Sequence, residues 1–143
     1  MANLTTYSMK NYPAFSPQMK MADLIHVNYR NLAVLSRLGI SLGFGEKTVD
    51  EVCKRHNVDV NLLLLICNVL LDTDMIPAEE QIAKCPVEQV VHYLQQSHQY
   101  YLNVAFPSIQ HLLDRLVAAC NETHGKALNR FFNEYRKEVE SHL

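Results

Sequence analysis

The sequence is short of glycine and proline, with four and five residues among 143, well below the roughly 12% that the two make up in an average chain. So few turn formers exclude a turn-rich sandwich or barrel and leave a mostly helical protein. An excess of charge is missing as well, because 13 Lys and Arg face 15 Asp and Glu for a net charge of -2. Without surplus cations to displace counterions from phosphates, nucleic acid is set aside as a partner. Long apolar runs are absent: the longest, Leu62 to Cys67, falls far short of the roughly 20 residues that span a bilayer. Met1 to Lys20 lacks the apolar stretch and small-residue cleavage site of a secretory signal, and it reads as the partly flexible leader of a cytoplasmic protein. The cysteines, Cys53, Cys67, Cys85 and Cys120, make no CxxC pattern and read as free, mostly buried thiols.

What is present is helical periodicity. Leu24, Ile25, Leu32, Leu35 and Leu38 predict one helix over 21–38, stopped by Gly39 in the left-handed position that commonly ends helices. Gly39, Gly43 and Gly45 gather backbone freedom into one loop. Thr48-Val49-Asp50-Glu51 matches a capping box, opening a short helix to His56 that Asn57 ends. Asp59 caps the next helix, whose run of leucines is apolar nearly all round and calls for burial on most sides. These helices make a small three-helix unit over 21–72, and 73–85 reads as a linker.

The second part begins at Pro86, well placed as the first residue of a helix. From there Val87, Val90, Val91, Leu94, His98, Tyr101, Ala105, Ile109, Leu112, Leu116 and Cys120 advance by ones, threes and fours along one stripe. Pro107 lies inside this pattern and predicts a kink near Asn103. A break over 121–125 precedes a last helix with a seam of Leu128, Phe132, Tyr135, Val139 and His142. The fold class is therefore all-α: a small helical unit followed by a long helical hairpin over 86–143.

Seven histidines are available. His92 and His111 fall off the stripe beside glutamines and Arg115 and read as solvated, while His26 and His56 have no partner in ligand spacing. His98 and His142 replace apolar residues on the inner stripes, and His124 stands at the turn. A lone histidine on such a face is ordinarily a hydrogen-bonded core residue; three on facing helices are the pattern of a bundle that holds metal.

At these residues the chain resembles the iron-sulfur cluster repair proteins, di-iron proteins that join a small helical domain to a hemerythrin-like four-helix bundle. His98-Gln99-Tyr100-Tyr101 with Phe106-Pro107 is similar to that family's first bundle helix. The segment Glu138 to Leu143 resembles its Glu-Leu-x-x-His-Met, and Leu38 to Gly45 with Thr48 to Cys53 resembles its N-terminal domain. The resemblance implies iron as the cofactor, two ions per intact bundle, with His98, His124 and His142 as metal residues. It also implies a role in oxidative or nitrosative stress and iron-sulfur proteins as partners. Two departures stand out: Gly43 and Phe44 occupy the family's adjacent cysteines, and the chain stops one residue after His142, where the family carries a further Glu and two more ligand-bearing helices.

The chain therefore reads as a truncated form with half a bundle. A hairpin of this kind exposes a long apolar face, and the expectation is a homodimer in which two hairpins complete four helices about a two-fold axis. The expectation for metal is that the intact protein binds two irons and this 143-residue chain binds none. The alternative is a helical interaction or regulatory module without metal. No Ser-His-Asp context or phosphate-cradling loop marks the chain as a classical enzyme.

Overall fold

The computed structural model describes residues 15–142. The leader read over 1–20 lies outside the described residues up to position 14. Among the described residues every regular element is helical, with one isolated antiparallel bridge between Lys20 and Thr48. No helix among them is long and apolar enough to cross a membrane. The chain divides into two compact units, one ending at Pro86 and the other starting at Val87.

In the first unit the helices are α1 (Met21–Val27), α2 (Asn31–Arg37), α3 (Val49–His56), α4 (Val60–Leu71) and α5 (Glu79–Ala83). The single helix expected over 21–38 is two. Asn28 adopts an extended conformation at φ -149° and ψ 105°, and its Oδ1 accepts the Arg30 N–H at 3.1 Å. Such a side-chain turn competes with the helical backbone ladder. Asn31, fully buried, then ties the two pieces together by donating from Nδ2 to the Leu24 carbonyl at 2.9 Å.

Both expected helix stops form as left-handed caps. Gly39 sits at φ +73°, with Ile40 N–H donating to the Leu35 carbonyl at 2.8 Å and Gly39 N–H to Ser36 at 3.1 Å. That pair of bonds satisfies carbonyls the helix leaves open. Asn57 repeats the arrangement at φ 55°, with Val58 N–H reaching the Cys53 carbonyl at 2.9 Å. The capping box is complete: Glu51 N–H donates to Thr48 Oγ1 at 3.3 Å, and Thr48 N–H donates to Glu51 Oε2 at 2.8 Å. The backbone and hydroxyl of Thr48 hold the Glu51 carboxyl below its usual range. Asp59 caps α4 by accepting from Leu62 N–H at 3.0 Å.

The core of this unit is Met21, Leu24, Val34, Leu35, Val49, Val52, Cys53, Leu63 and Cys67, all essentially without solvent exposure. No apolar residue of α4 is fully exposed, as its all-round leucine run requires. Residues just before α1 belong to the same fold. Phe15 is buried, and the Pro17 and Met19 carbonyls accept from Asp50 and Val49 N–H, both at 2.9 Å. The 73–85 stretch read as linker contains α5, which packs on α4, and ends in the buried Cys85.

The second unit is a helical hairpin. Its first arm runs through α6 (Val87–Tyr100), a π-helical turn (Tyr101–Ala105) and α7 (Phe106–Ala119), and its second arm is α8 (Glu122–His142). The break between the arms is confined to Cys120 and Asn121, shorter than the expected 121–125. Asn121 Oδ1 accepts the His124 N–H at 2.9 Å, which caps the second arm early. Gly125 therefore lies inside α8, buried, where a Cβ would stand 3.0 Å from Val117 Cγ1. Its missing side chain sets how closely the arms approach.

Candidate functional site

Pro107 shapes the first arm. Having no N–H, it cannot continue the α-helical ladder, and where a kink is expected the helix takes a π turn, in which Phe106 N–H reaches back five residues to the Tyr101 carbonyl. Ser108 Oγ donates to the Val104 carbonyl at 2.7 Å. Phe106, the first residue past this turn, is the packing centre of the hairpin. Its ring meets Phe132 edge-on at 6.2 Å and Tyr135 at 6.4 Å, with the Arg136 guanidinium 5.9 Å from its centroid.

The three sequence-predicted metal residues occupy different environments. His98 is half-buried in the last turn of α6. His124 is exposed in the first turn of α8 and takes its place in the cap. Because Asn121 Oδ1 already accepts the backbone N–H, its Nδ2 faces His124 Nδ1 at 3.1 Å as a donor, which leaves the ring proton on Nε2. His142 is exposed at the other end of α8, with Nε2 3.1 Å from Glu138 Oε1.

One continuous helix thus carries both His124 and His142, eighteen residues apart, and a rise of 1.5 Å per residue separates them by about 27 Å. No single ion is reached by both within one chain. Among the described residues no group of three or more His, Cys, Asp or Glu side chains converges on a point. The donor sets of iron sites need nitrogen and carboxylate ligands in one first coordination sphere, and His124 and His142 of one chain, at opposite ends of α8, do not share one. His124 instead lines an apolar hollow of about 440 Å³ with Cys120, Ala127, Leu128 and Phe131.

The thiols offer little chemistry. Burial pushes Cys53 up to about 11 and Cys67 up to about 12, and it also raises Cys85, so the reactive thiolate is scarce near neutrality. Cys120 alone is half-buried rather than buried. In native protein a thiol-disulfide reagent reacts first with one thiol per chain, Cys120, while the other three wait for unfolding. The raised values also fix a pH trend. In the unfolded chain Cys53 and Cys67 ionise near 9.0 and in the fold only at about 11 and about 12, so their contribution to stability is intact below pH 9 and declines from there to about pH 12.

The largest unsatisfied feature is the outer face of the hairpin. The apolar stripe of the first arm is exposed, as expected of a hairpin: Val87 is 75% exposed, Leu112 60% and Leu116 52%, with Val91, Leu94, Tyr101 and Ile109 also exposed. Phe131 and Tyr135 of α8 stack 6.4 Å apart at 11° and are exposed as well. The inner face is instead Phe106, Gly125 and Phe132, all buried.

Charge separates the two arms. Residues 87–119 hold only Glu88, Asp114 and Arg115 as charged side chains, whereas α8 holds eight. On α8 the charges pair internally one turn apart: Lys126 with Glu122, Arg130 with Glu134 and Arg136 with Glu140. Such pairs are the mark of a solvated helix face. A long helix with almost no charge and an outward apolar stripe is a surface prepared for contact. The signal was available in the sequence as that dearth of charge, which periodicity alone does not weigh. No family model, no curated protein and no solved structure matches the chain, and what the protein does is read from this geometry.

Proposed function

We propose that the protein works as a helical association module: a small capped unit followed in the chain by a hairpin whose apolar outer face pairs with that of a second chain to make a homodimer. The observation that carries this reading is the exposed stripe of Val87, Val91, Leu94, Ile109, Leu112 and Leu116 on an arm with three charged residues. Contiguous apolar surface of this kind is rare on a monomer and common at interfaces between copies. The role is binding and assembly, and no reaction is assigned to it.

The test is Leu112→Glu. The side chain is largely exposed in one chain, so glutamate is tolerated there, but across a dimer interface it buries an unpaired carboxylate at a cost of several kcal/mol. Light scattering is expected to give the mass of two chains for the unsubstituted protein. The variant should give the mass of one at unchanged helix content, with the dissociation constant raised at least ~100-fold. A monomeric parent protein, or a variant that stays dimeric, removes the reading.

A di-iron role in oxidative or nitrosative stress, with iron-sulfur proteins as partners, rests on the sequence resemblance alone. It requires ligands beyond those that His98, His124 and His142 bring together within one chain.

A further inference from the structure

Resting on the dimer reading, we infer that the two first arms pair antiparallel, with the two-fold axis passing through the π turn at Asn103. The stripe is a mirror of itself about that residue. Counting outward from Asn103, Tyr101 and Ala105 stand two residues away, His98 and Ile109 five and six, and Leu94 and Leu112 nine each. Val91 and Leu116 follow at twelve and thirteen, then Val87 and Cys120 at sixteen and seventeen. An isologous interface needs this property, because each residue must meet on the partner the position to which its own copy is returned.

The facing side chains also complement one another. Tyr101 meets the small Ala105 of the second copy, a large residue against a gap, and Leu94 meets Leu112. Facing helices pack best when large and small side chains alternate in this way. Charge selects the same occupant. With only Glu88, Asp114 and Arg115 on the arm, a strongly charged partner finds nothing to pair with. Orientation follows from size: a parallel pair sets Tyr101 beside Tyr101 and Ala105 beside Ala105, crowding two large side chains and leaving a gap at two small ones.

Cysteine cross-linking distinguishes the arrangements, using Leu94→Cys and Leu112→Cys, each in a Cys120→Ser background so that the remaining native thiols are buried. In the antiparallel dimer the two copies of residue 94 lie eighteen residues apart along the axis, about 27 Å, beyond the 4 to 7 Å reach of a disulfide, whereas residue 94 faces residue 112. The expected result under diamide is a cross-linked species when the two variants are mixed and none when either is oxidised alone. Self-cross-linking of Leu94→Cys overturns the orientation and leaves the dimer standing. Dimeric mass with no cross-link in any mixture overturns this register. Monomeric mass by light scattering before oxidation overturns both the register and the dimer beneath it.

Discussion

Replacing Leu63 by alanine lowers the stability of the first unit by about 3 to 5 kcal/mol. Leu63 lies in the first half of α4 with no solvent exposure, and Val34, Leu35, Val52 and Cys53 of the helices that α4 packs on share that burial. α4 packs on α2, α3 and α5, so no single neighbour can move in to fill the space, and the cost stays near the upper part of the range for such truncations. Against a total of about 5 to 15 kcal/mol for a domain, the loss is a third or more. Urea unfolding should show the midpoint displaced with the slope retained. Leu112→Ala serves as the contrast: that side chain is mostly exposed in the chain, and its loss leaves the urea midpoint of this unit in place. A Leu63→Ala midpoint within experimental error of the parent would mean that α4 is not the centre of the core.

Phe106→Ala has a comparable effect on the second unit, about 3 to 5 kcal/mol. The buried side chains of the hairpin are few, Phe106 and Phe132 with the small Ser97, and Phe106 alone joins the π turn to Phe132, Tyr135 and Arg136. Removing its ring takes away two edge-on aromatic contacts, a cation-π contact and the largest apolar burial between the arms. The hairpin should melt ahead of the first unit, so that thermal unfolding followed at 222 nm splits into two steps, and the resonances of Val52 and Leu63 persist after the first. A single step at the parent temperature would show that Phe106 does not hold the arms together.

Much of the first unit was legible because its boundaries are written in local chemistry. Thr48 with Glu51, Asp59, Gly39 and Asn57 each act on backbone groups within a few residues, and such interactions need no knowledge of the rest of the fold. The division of 21–38 was not legible from periodicity, since Leu24, Ile25, Leu32 and Leu35 remain in phase across it. What divides it is the Asn28 side chain, bonded to Arg30 and, at 3.5 Å, to the carbonyl of Leu70. The second of those partners lies 42 residues away and is visible only once α4 is in place.

For the site, periodicity found the stripe, and the long exposed apolar face expected of a hairpin is there at Val87, Leu94, Leu112 and Leu116. A pattern of apolar residues states that one side of a helix will be covered, but not by what. Gly125 did mislead: as a helix breaker it placed the start of α8 too late, whereas its use is the close approach to Val117. That shift makes α8 a single rod with His124 and His142 at opposite ends.

The π turn has one more consequence, for supercoil phase. Two helices wrapped left-handed want a seven-residue repeat, with steps alternating four and three. From Val87 the stripe keeps that alternation through Tyr101, then takes two steps of four in succession, to Ala105 and to Ile109, before Leu112 and Leu116 resume it. One residue is surplus to the heptads, and it falls where the chain widens from α to π over Tyr101–Ala105. A turn holding an extra residue sets everything beyond it back by about 100°, which returns α7 to heptad phase with α6. The turn at Pro107 thereby acts as a phase correction that brings the apolar stripes of both halves of a 33-residue arm onto one seam, as the proposed dimer requires.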